Sequence, residues 1–147
     1  MRATRAILVG LGALVLSAAV VGAADYIGAA KCKMCHKLQF ESWSGLAHSK
    51  AFQQLKPADQ GNVECLECHA TGGSAEMPGV QCEACHGPGS EYRSMKVMTD
   101  REASAVAGLI IPDEATCTGC HTGAPHAQKP FDYASAVDKG VHKHNEK

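Results

Sequence analysis

The chain has 147 residues, 14 basic and 15 acidic side chains, and a net charge of -1. That balance excludes the strongly basic surface on which nucleic-acid binding depends. One Trp, three Tyr and three Phe, namely Tyr26, Phe40, Trp43, Phe52, Tyr92, Phe131 and Tyr133, are too few for an ordinary core, while eight cysteines point to a scaffold held through its thiols.

Residues 1–24 read as an export signal. Arg2 and Arg5 form a charged start, Ala6 to Val21 is an uncharged apolar run, and Gly22-Ala23-Ala24 supplies small residues for cleavage. An uncleaved membrane anchor is the alternative, because Ala6 to Ala24 is long enough to span a bilayer. Richness in Ala and Gly and the cleavage-like end favour removal after Ala23 or Ala24. Losing Arg2 and Arg5 leaves 12 basic against 15 acidic residues, so the single domain over 25–147 is mildly acidic. A partner with a basic patch suits it.

A short lead, Asp25-Tyr26-Ile27-Gly28, runs into Cys32-Lys33-Met34-Cys35-His36. Lys37 to Leu55 has helical spacing, with Leu38, Phe40, Trp43, Leu46 and Phe52 apolar and Gly45 as a break point. Pro57 to Asn62 is a loop. Cys65-Leu66-Glu67-Cys68-His69 and Cys82-Glu83-Ala84-Cys85-His86 begin 17 residues apart, joined by Thr71-Gly72-Gly73-Ser74 and Met77-Pro78-Gly79. Those residues make turns, and the short spacing expects the two segments to be neighbours. Gly87-Pro88-Gly89 is a further turn, and Glu91 to Gly108 reads as helix. Pro112-Asp113-Glu114 is a helix start leading into Cys117-Thr118-Gly119-Cys120-His121. Asp132 to Lys139 is a last short helix, Gly140 its stop, and His142 lies just beyond. Lys143 to Lys147 is a polar tail. The expected fold is mainly α, with short helices, long loops and little or no sheet.

The word Cys-x-x-Cys-His thus occurs four times and uses all eight cysteines. It is the attachment signature of c-type haem, in which two thiols bond the porphyrin vinyls and the adjacent histidine ligates iron. A Cys-four zinc site and disulfides are the alternatives, but neither requires a histidine after the second cysteine. At 8 histidines in 147 residues, four such histidines arise by chance roughly once in 10⁵ for a given Cys spacing. Four covalent haem c groups are therefore expected. Cys32, Cys35, Cys65, Cys68, Cys82, Cys85, Cys117 and Cys120 attach them, and His36, His69, His86 and His121 are the proximal iron ligands. The porphyrins then supply the missing apolar mass, and the apoprotein should be largely unfolded.

Four histidines remain as candidates for the distal iron position: His48, His126, His142 and His144. His48 lies 12 residues past His36, beyond the Trp43 segment, and cannot easily wrap back over its own haem. His142 follows the last helix. His142 and His144 point to opposite sides of an extended tail, so they should not serve one haem. His126, five residues past His121 and after Pro125, is a ligand, a haem-edge residue or a surface residue. Met95 and Met98 are more often helix packing, and a methionine ligand would raise the potential of its haem.

Several segments together resemble the tetrahaem cytochrome c-554 family. They are Tyr26-Ile27-Gly28 with Glu41 to His48, then Glu64 to Ala70, then Val80 to Ser90 with its Cys-His-Gly-Pro-Gly-Ser run. Pro130-Phe131-Asp132-Tyr133 followed by Lys139-Gly140-Val141-His142 completes the set. The resemblance implies that His48 caps the fourth haem, on Cys117 and Cys120, and that His142 caps the third, on Cys82 and Cys85. The family often has a histidine for the first haem soon after Gly-Pro-Gly-Ser. Here Glu91 and Tyr92 stand nearby, with Met95 and Met98 later, a departure that leaves that ligand open. The best-known member also has a five-coordinate second haem, a position that His126 or His144 would fill if this chain has closed it.

The leading functional reading is a periplasmic electron carrier, not an enzyme, passing electrons through closely packed haems between a redox donor and an acceptor. The resemblance implies a redox enzyme as donor, as in hydroxylamine oxidation. A second reading is a reductase of small nitrogen or oxygen species at an open haem. A third is a subunit of a haem-bearing filament or homo-oligomer, and a fourth a membrane-anchored partner of quinol oxidation, which requires the N-terminal segment to be kept.

Overall fold

The computed structural model describes residues 23–121 and 130–143. Most of the export signal, His126 and His144 lie outside them. Eight short α-helices appear: α1 Ala29–Cys32, α2 Lys37–Ser44, α3 Val63–His69, α4 Cys82–His86, α5 Met95–Met98, α6 Arg101–Val106, α7 Glu114–Thr118 and α8 Tyr133–Gly140. The described residues form no strand beyond isolated bridges of Ala70 with Pro78 and Gly79, so the mainly-α reading holds. No helix among them is long and apolar enough to cross a membrane.

Side chains that compete for backbone hydrogen bonds decide where the helices stop. The span from Lys37 to Leu55 does not run as one helix. α2 ends at Ser44, with Gly45 as its C-cap. The Ser49 hydroxyl donates to the carbonyls of Ser44 and Leu46, and the chain continues as 3₁₀ turns at His48–Lys50 and Phe52–Gln54.

Glu91 to Gly108 also departs from the expected single helix. Tyr92 is buried and donates its hydroxyl to the Gly87 carbonyl at 2.6 Å, which keeps Glu91 to Arg93 in a turn. Ser94 then caps α5, and Asp100 caps α6 by accepting from the N–H groups of Glu102 and Ala103. Two N-capping residues inside one apolar-periodic span break it into two helices. Elsewhere the expected ends hold: Asp113 caps α7, and α8 runs from Tyr133 to Gly140.

Apolar burial is sparse. Leu55, Leu66 and Ala70 form one small cluster, with Phe52 and Cys65 against it. Met34, Met95, Val106 and Ile111 are widely exposed.

The turn between the second and third Cys-x-x-Cys-His words is organised by polar contacts instead. Thr71, fully buried, donates its hydroxyl to the Gly79 carbonyl at 2.9 Å and accepts from the Gln81 N–H at 2.9 Å. Gln81 accepts from the Ala29 N–H at 2.8 Å, which ties in α1. Trp43 on α2 donates its indole N–H to the Val80 carbonyl at 2.8 Å, and the Val80 N–H donates to the His48 carbonyl at 2.9 Å. One turn thereby joins α1, α2, α3 and α4.

Gly79 permits this crossing. Its φ is 85°, and a Cβ there would lie 2.7 Å from the Ser49 carbonyl oxygen. Gly79→Ala should therefore destabilise the protein by about 2 kcal/mol or more. Thermal unfolding of the holoprotein checks this, and an unchanged midpoint would show that the crossing is not tight.

Candidate functional site

All four Cys-x-x-Cys-His words begin on or run through short helices: the first enters from α1, the second lies in α3, the third forms α4 and the fourth starts in α7. A helical turn brings residues three apart onto one face, so both thiols and the following histidine of each word can address a single flat ligand. None of the eight cysteines is in a disulfide. Among the described residues no three His, Cys, Asp or Glu side chains group to hold a bare metal ion.

The words meet in a definite pattern. Cys32 and Cys82 share a hydrogen bond, which lowers the Cys32 thiol pKa and raises that of Cys82. This brings the first word against the third. Cys120 is pushed up to about 12 by burial and by its hydrogen bond with Cys68. Its sulfur also lies 4.0 Å from the Glu67 carbonyl, so the fourth word abuts the second. Cys85 is raised by burial and then by the nearby Cys117, linking third to fourth. The second and third words, expected as neighbours, have their helices α3 and α4 packed on the shared Thr71–Gly73 turn.

Two histidines from outside the words face histidines within them. The His48 ring centroid is 6.0 Å from that of His121, the planes crossing at 65°. The His142 centroid is 6.0 Å from that of His86, the planes at 32°. An imidazole nitrogen sits about 2 Å from a bound transition metal, so two rings on opposite sides of one ion have centroids roughly 6 Å apart. Phe131 stacks on His121 at 4.8 Å.

Four of these rings are also oriented by backbone carbonyls. His48 Nδ1 lies 3.1 Å from the Gly140 oxygen, His69 Nδ1 2.8 Å from that of Ala51, His86 Nδ1 3.0 Å from that of Ile110, and His142 Nδ1 3.2 Å from that of Lys143. A carbonyl only accepts, so Nδ1 carries the proton in each and Nε2 keeps its lone pair. That is the tautomer an iron ligand needs, with the outer hydrogen bond fixing the ring. Burial, before any other influence, holds the His48 pKa below the ordinary value, which keeps the ring neutral. The donor set and its geometry fit a haem.

The two described spare histidines are thereby used up on His121 and His86. Neither comes to His36 or His69, and the other two candidates, His126 and His144, lie outside the described residues. Tyr92, near the position where a ligand for the first haem was sought, instead caps Gly87.

The family model described as "Cytochrome c554 and c-prime" matches residues 31–87. Cytochrome c-554 of Nitrosomonas europaea is 28% identical over 97 residues, covering 48% of this chain. The solved reduced-state structure of cytochrome c554 from Nitrosomonas europaea superposes with a TM-score of 0.67 at 25% identity, over 84% of this chain and 87% of that one. The chain is thus similar to the cytochrome c-554 family, in sequence over these residues and in fold over most of its length. Its aligned part spans 41% of the length of the curated relative.

Sequence reasoning missed Glu83 and Thr71. Both are buried polar side chains, but each sits at a position any residue might occupy, one inside a haem word and one in a turn. The only signal was the presence of a carboxylate within an otherwise permissive Cys-x-x-Cys.

The fourth word depends on Asp113, whose side chain accepts from the Thr116 N–H at 3.1 Å while the Thr116 hydroxyl accepts from the Asp113 N–H at 3.3 Å. The hydrogen bond from the Thr116 N–H, more than any other influence, holds the Asp113 pKa below its usual value. A depressed folded pKa gives stability that is present above the unfolded value near 4 and is lost as pH falls through the folded one. Asp113→Ala should lower the melting temperature at neutral pH, and the gap between variant and parent should narrow as pH falls through and below the ordinary carboxylate range. Paired thermal melts across pH test this; a gap independent of pH would mean that the charge is not what caps α7.

Proposed function

We propose that this protein is a periplasmic electron carrier that holds four haem c groups through its four Cys-x-x-Cys-His words. The observation that carries the reading is the pair of facing imidazoles, His48 with His121 and His142 with His86, each at the 6.0 Å separation that suits a shared iron. His36, His69, His86 and His121 are the proximal ligands, His48 the distal ligand on the fourth haem and His142 that on the third. His126 and His144 remain candidates for the other two. The domain is residues 25–147, following a cleaved signal.

A bound haem supplies a one-electron couple, ferric to ferrous. The residues around it fix each ring's spacing, choose its axial ligands and set its burial. The thiol neighbours support a chain of contacts running from the second word to the fourth, the third and the first. Electrons entering at one end then have a continuous route out at the other, and no substrate pocket is required. The partners are a redox donor and an acceptor, and the acidic excess of the mature chain suits basic docking patches on them.

The alternative is a reductase of small nitrogen or oxygen species at an open haem. Electron paramagnetic resonance of the oxidised protein, with haem counted in parallel, separates the two. Four low-spin haems support the carrier, and a high-spin signal worth one haem or more supports a small-ligand site.

His48→Ala should keep four haems per chain and convert one of them from low to high spin, and His142→Ala should do the same to another. A variant with four haems and an unchanged spectrum removes that histidine as a ligand. With imidazole on both sides of the third and fourth irons, their midpoint potentials should lie well below those of a Met-ligated haem. Spectroelectrochemical titration reads this directly.

A further inference from the structure

Glu83 occupies a variable position of the third word, yet it is the largest fully buried side chain among the described residues, at 1% exposure. Its carboxylate is held by backbone N–H groups. The Ile27 N–H donates to Oε1 at 2.9 Å and to Oε2 at 3.1 Å, the Gly28 N–H to Oε2 at 2.7 Å, and the Gly89 N–H to Oε1 at 2.7 Å. Buried charge is costly unless it is well hydrogen-bonded, and three N–H donors meet that requirement without a cationic side chain. The site is built closely: a Cβ on Gly89 would lie 2.9 Å from Glu83 Oε1 and 3.0 Å from the Ile27 side chain.

The charge lies where two haem words meet. Glu83 directly follows Cys82 in α4, α4 packs on α1, which ends at Cys32, and the carboxylate itself holds the Ile27 and Gly28 N–H groups just ahead of α1. N–H dipoles reduce a negative charge but do not cancel it as an ion pair would.

We propose that Glu83 is a positioning and potential-setting residue, whose buried negative charge makes the first and third haems the lower-potential pair of the chain. The inference rests on the reading that the words carry haem. Adding an electron to iron beside a fixed negative charge in a low-dielectric interior is less favourable, so the ferric form is preferred there. The second and fourth haems, attached to words outside this junction, do not experience that field to the same degree. Electrons therefore run downhill from the Glu83 pair toward the other two. The same carboxylate ties the Asp25–Gly28 lead to the third word, so one residue both closes the junction and biases it.

The test is spectroelectrochemical titration of holoprotein carrying Glu83→Gln or Glu83→Asp, with haem content and axial-ligand spectra recorded for each. Glu83→Gln removes the charge and sets an amide N–H against backbone donors. Glu83→Asp keeps the charge but shortens the side chain and loosens the same hydrogen bonds. We expect two of the four midpoint potentials to rise in Glu83→Gln, the other two to stay, and no rise in Glu83→Asp. An equal rise in both variants would mean that loosening rather than charge moves the potentials, and would overturn the proposal. So would four unchanged potentials in Glu83→Gln. Should Glu83→Gln fail to mature, Glu83→Met, which also removes the charge at similar length, takes its place with the same outcomes: a rise in two potentials supports the proposal and four unchanged potentials overturn it. Fewer than four haems in the parent protein would instead overturn the haem reading itself, so the two failures are distinguishable.

Discussion

The carboxylate of Glu83 ties together three separate parts of the chain. Ile27 and Gly28 lie ahead of the first haem word, Glu83 lies inside the third, and Gly89 follows it. In an ordinary domain of this length such segments would be brought together by a hydrophobic core. Here the buried apolar side chains among the described residues are Ala29, Leu55, Leu66, Ala70 and Tyr92, several of them small. Directional hydrogen bonds therefore do the locating, through Glu83 at one junction and Thr71 at the other. Such bonds add little net stability each, but leaving any of the buried groups unpaired is costly. That asymmetry makes the arrangement specific even where it is not strongly stabilised. The exposed Met34, Met95, Val106 and Ile111 are then intelligible as apolar surface available to cover porphyrin.

Legibility in the sequence followed the physical range of each signal. The Cys-x-x-Cys-His words are local chemistry at fixed spacing, so an expectation for eight cysteines and four histidines stands in the sequence itself. The helix start at Asp113 is also local, because a capping side chain reaches only two or three residues ahead. The over-long helix expected from Glu91 to Gly108 had the opposite cause. Apolar periodicity there was real, but Ser94 and Asp100 cap two separate helices, and Tyr92 is held to Gly87 by a contact that depends on the folded third word. Glu83 and Thr71 were illegible for the same reason. Their partners are up to 56 residues away, and nothing in either residue type announces burial.

The placement of His48 shows how the two kinds of information combine. Its distance from His36 along the chain argued that it serves another haem, and the resemblance named the fourth. In the folded chain α2 stops at Ser44, the following 3₁₀ turn carries His48, and its backbone carbonyl is taken by Val80. The ring then turns away from its own word toward His121. Had the helix run on to Leu55 as the spacing expected, His48 would lie on its surface one turn beyond Ser44, without the bend that sends it across the molecule. The break at Gly45 is thus part of how the site is made.

Carbonyl bonds to Nδ1 complete this logic. An electron carrier works best when its ligands move little between oxidation states, because motion raises the barrier to transfer. His48, His69, His86 and His142 are each anchored at the outer nitrogen by a carbonyl from a different segment: α8, the 51–52 turn, the Ile110 strand-like stretch and the tail. Each anchor fixes the tautomer and restrains rotation of the ring, and those on His48, His69 and His86 also draw a distant segment to the ring. Ile110 repays this with a second bond, its N–H donating to the His86 carbonyl at 3.0 Å. Ligand orientation and chain topology are therefore set by the same contacts, so a chain this poor in apolar core can still hold its imidazoles at a defined separation.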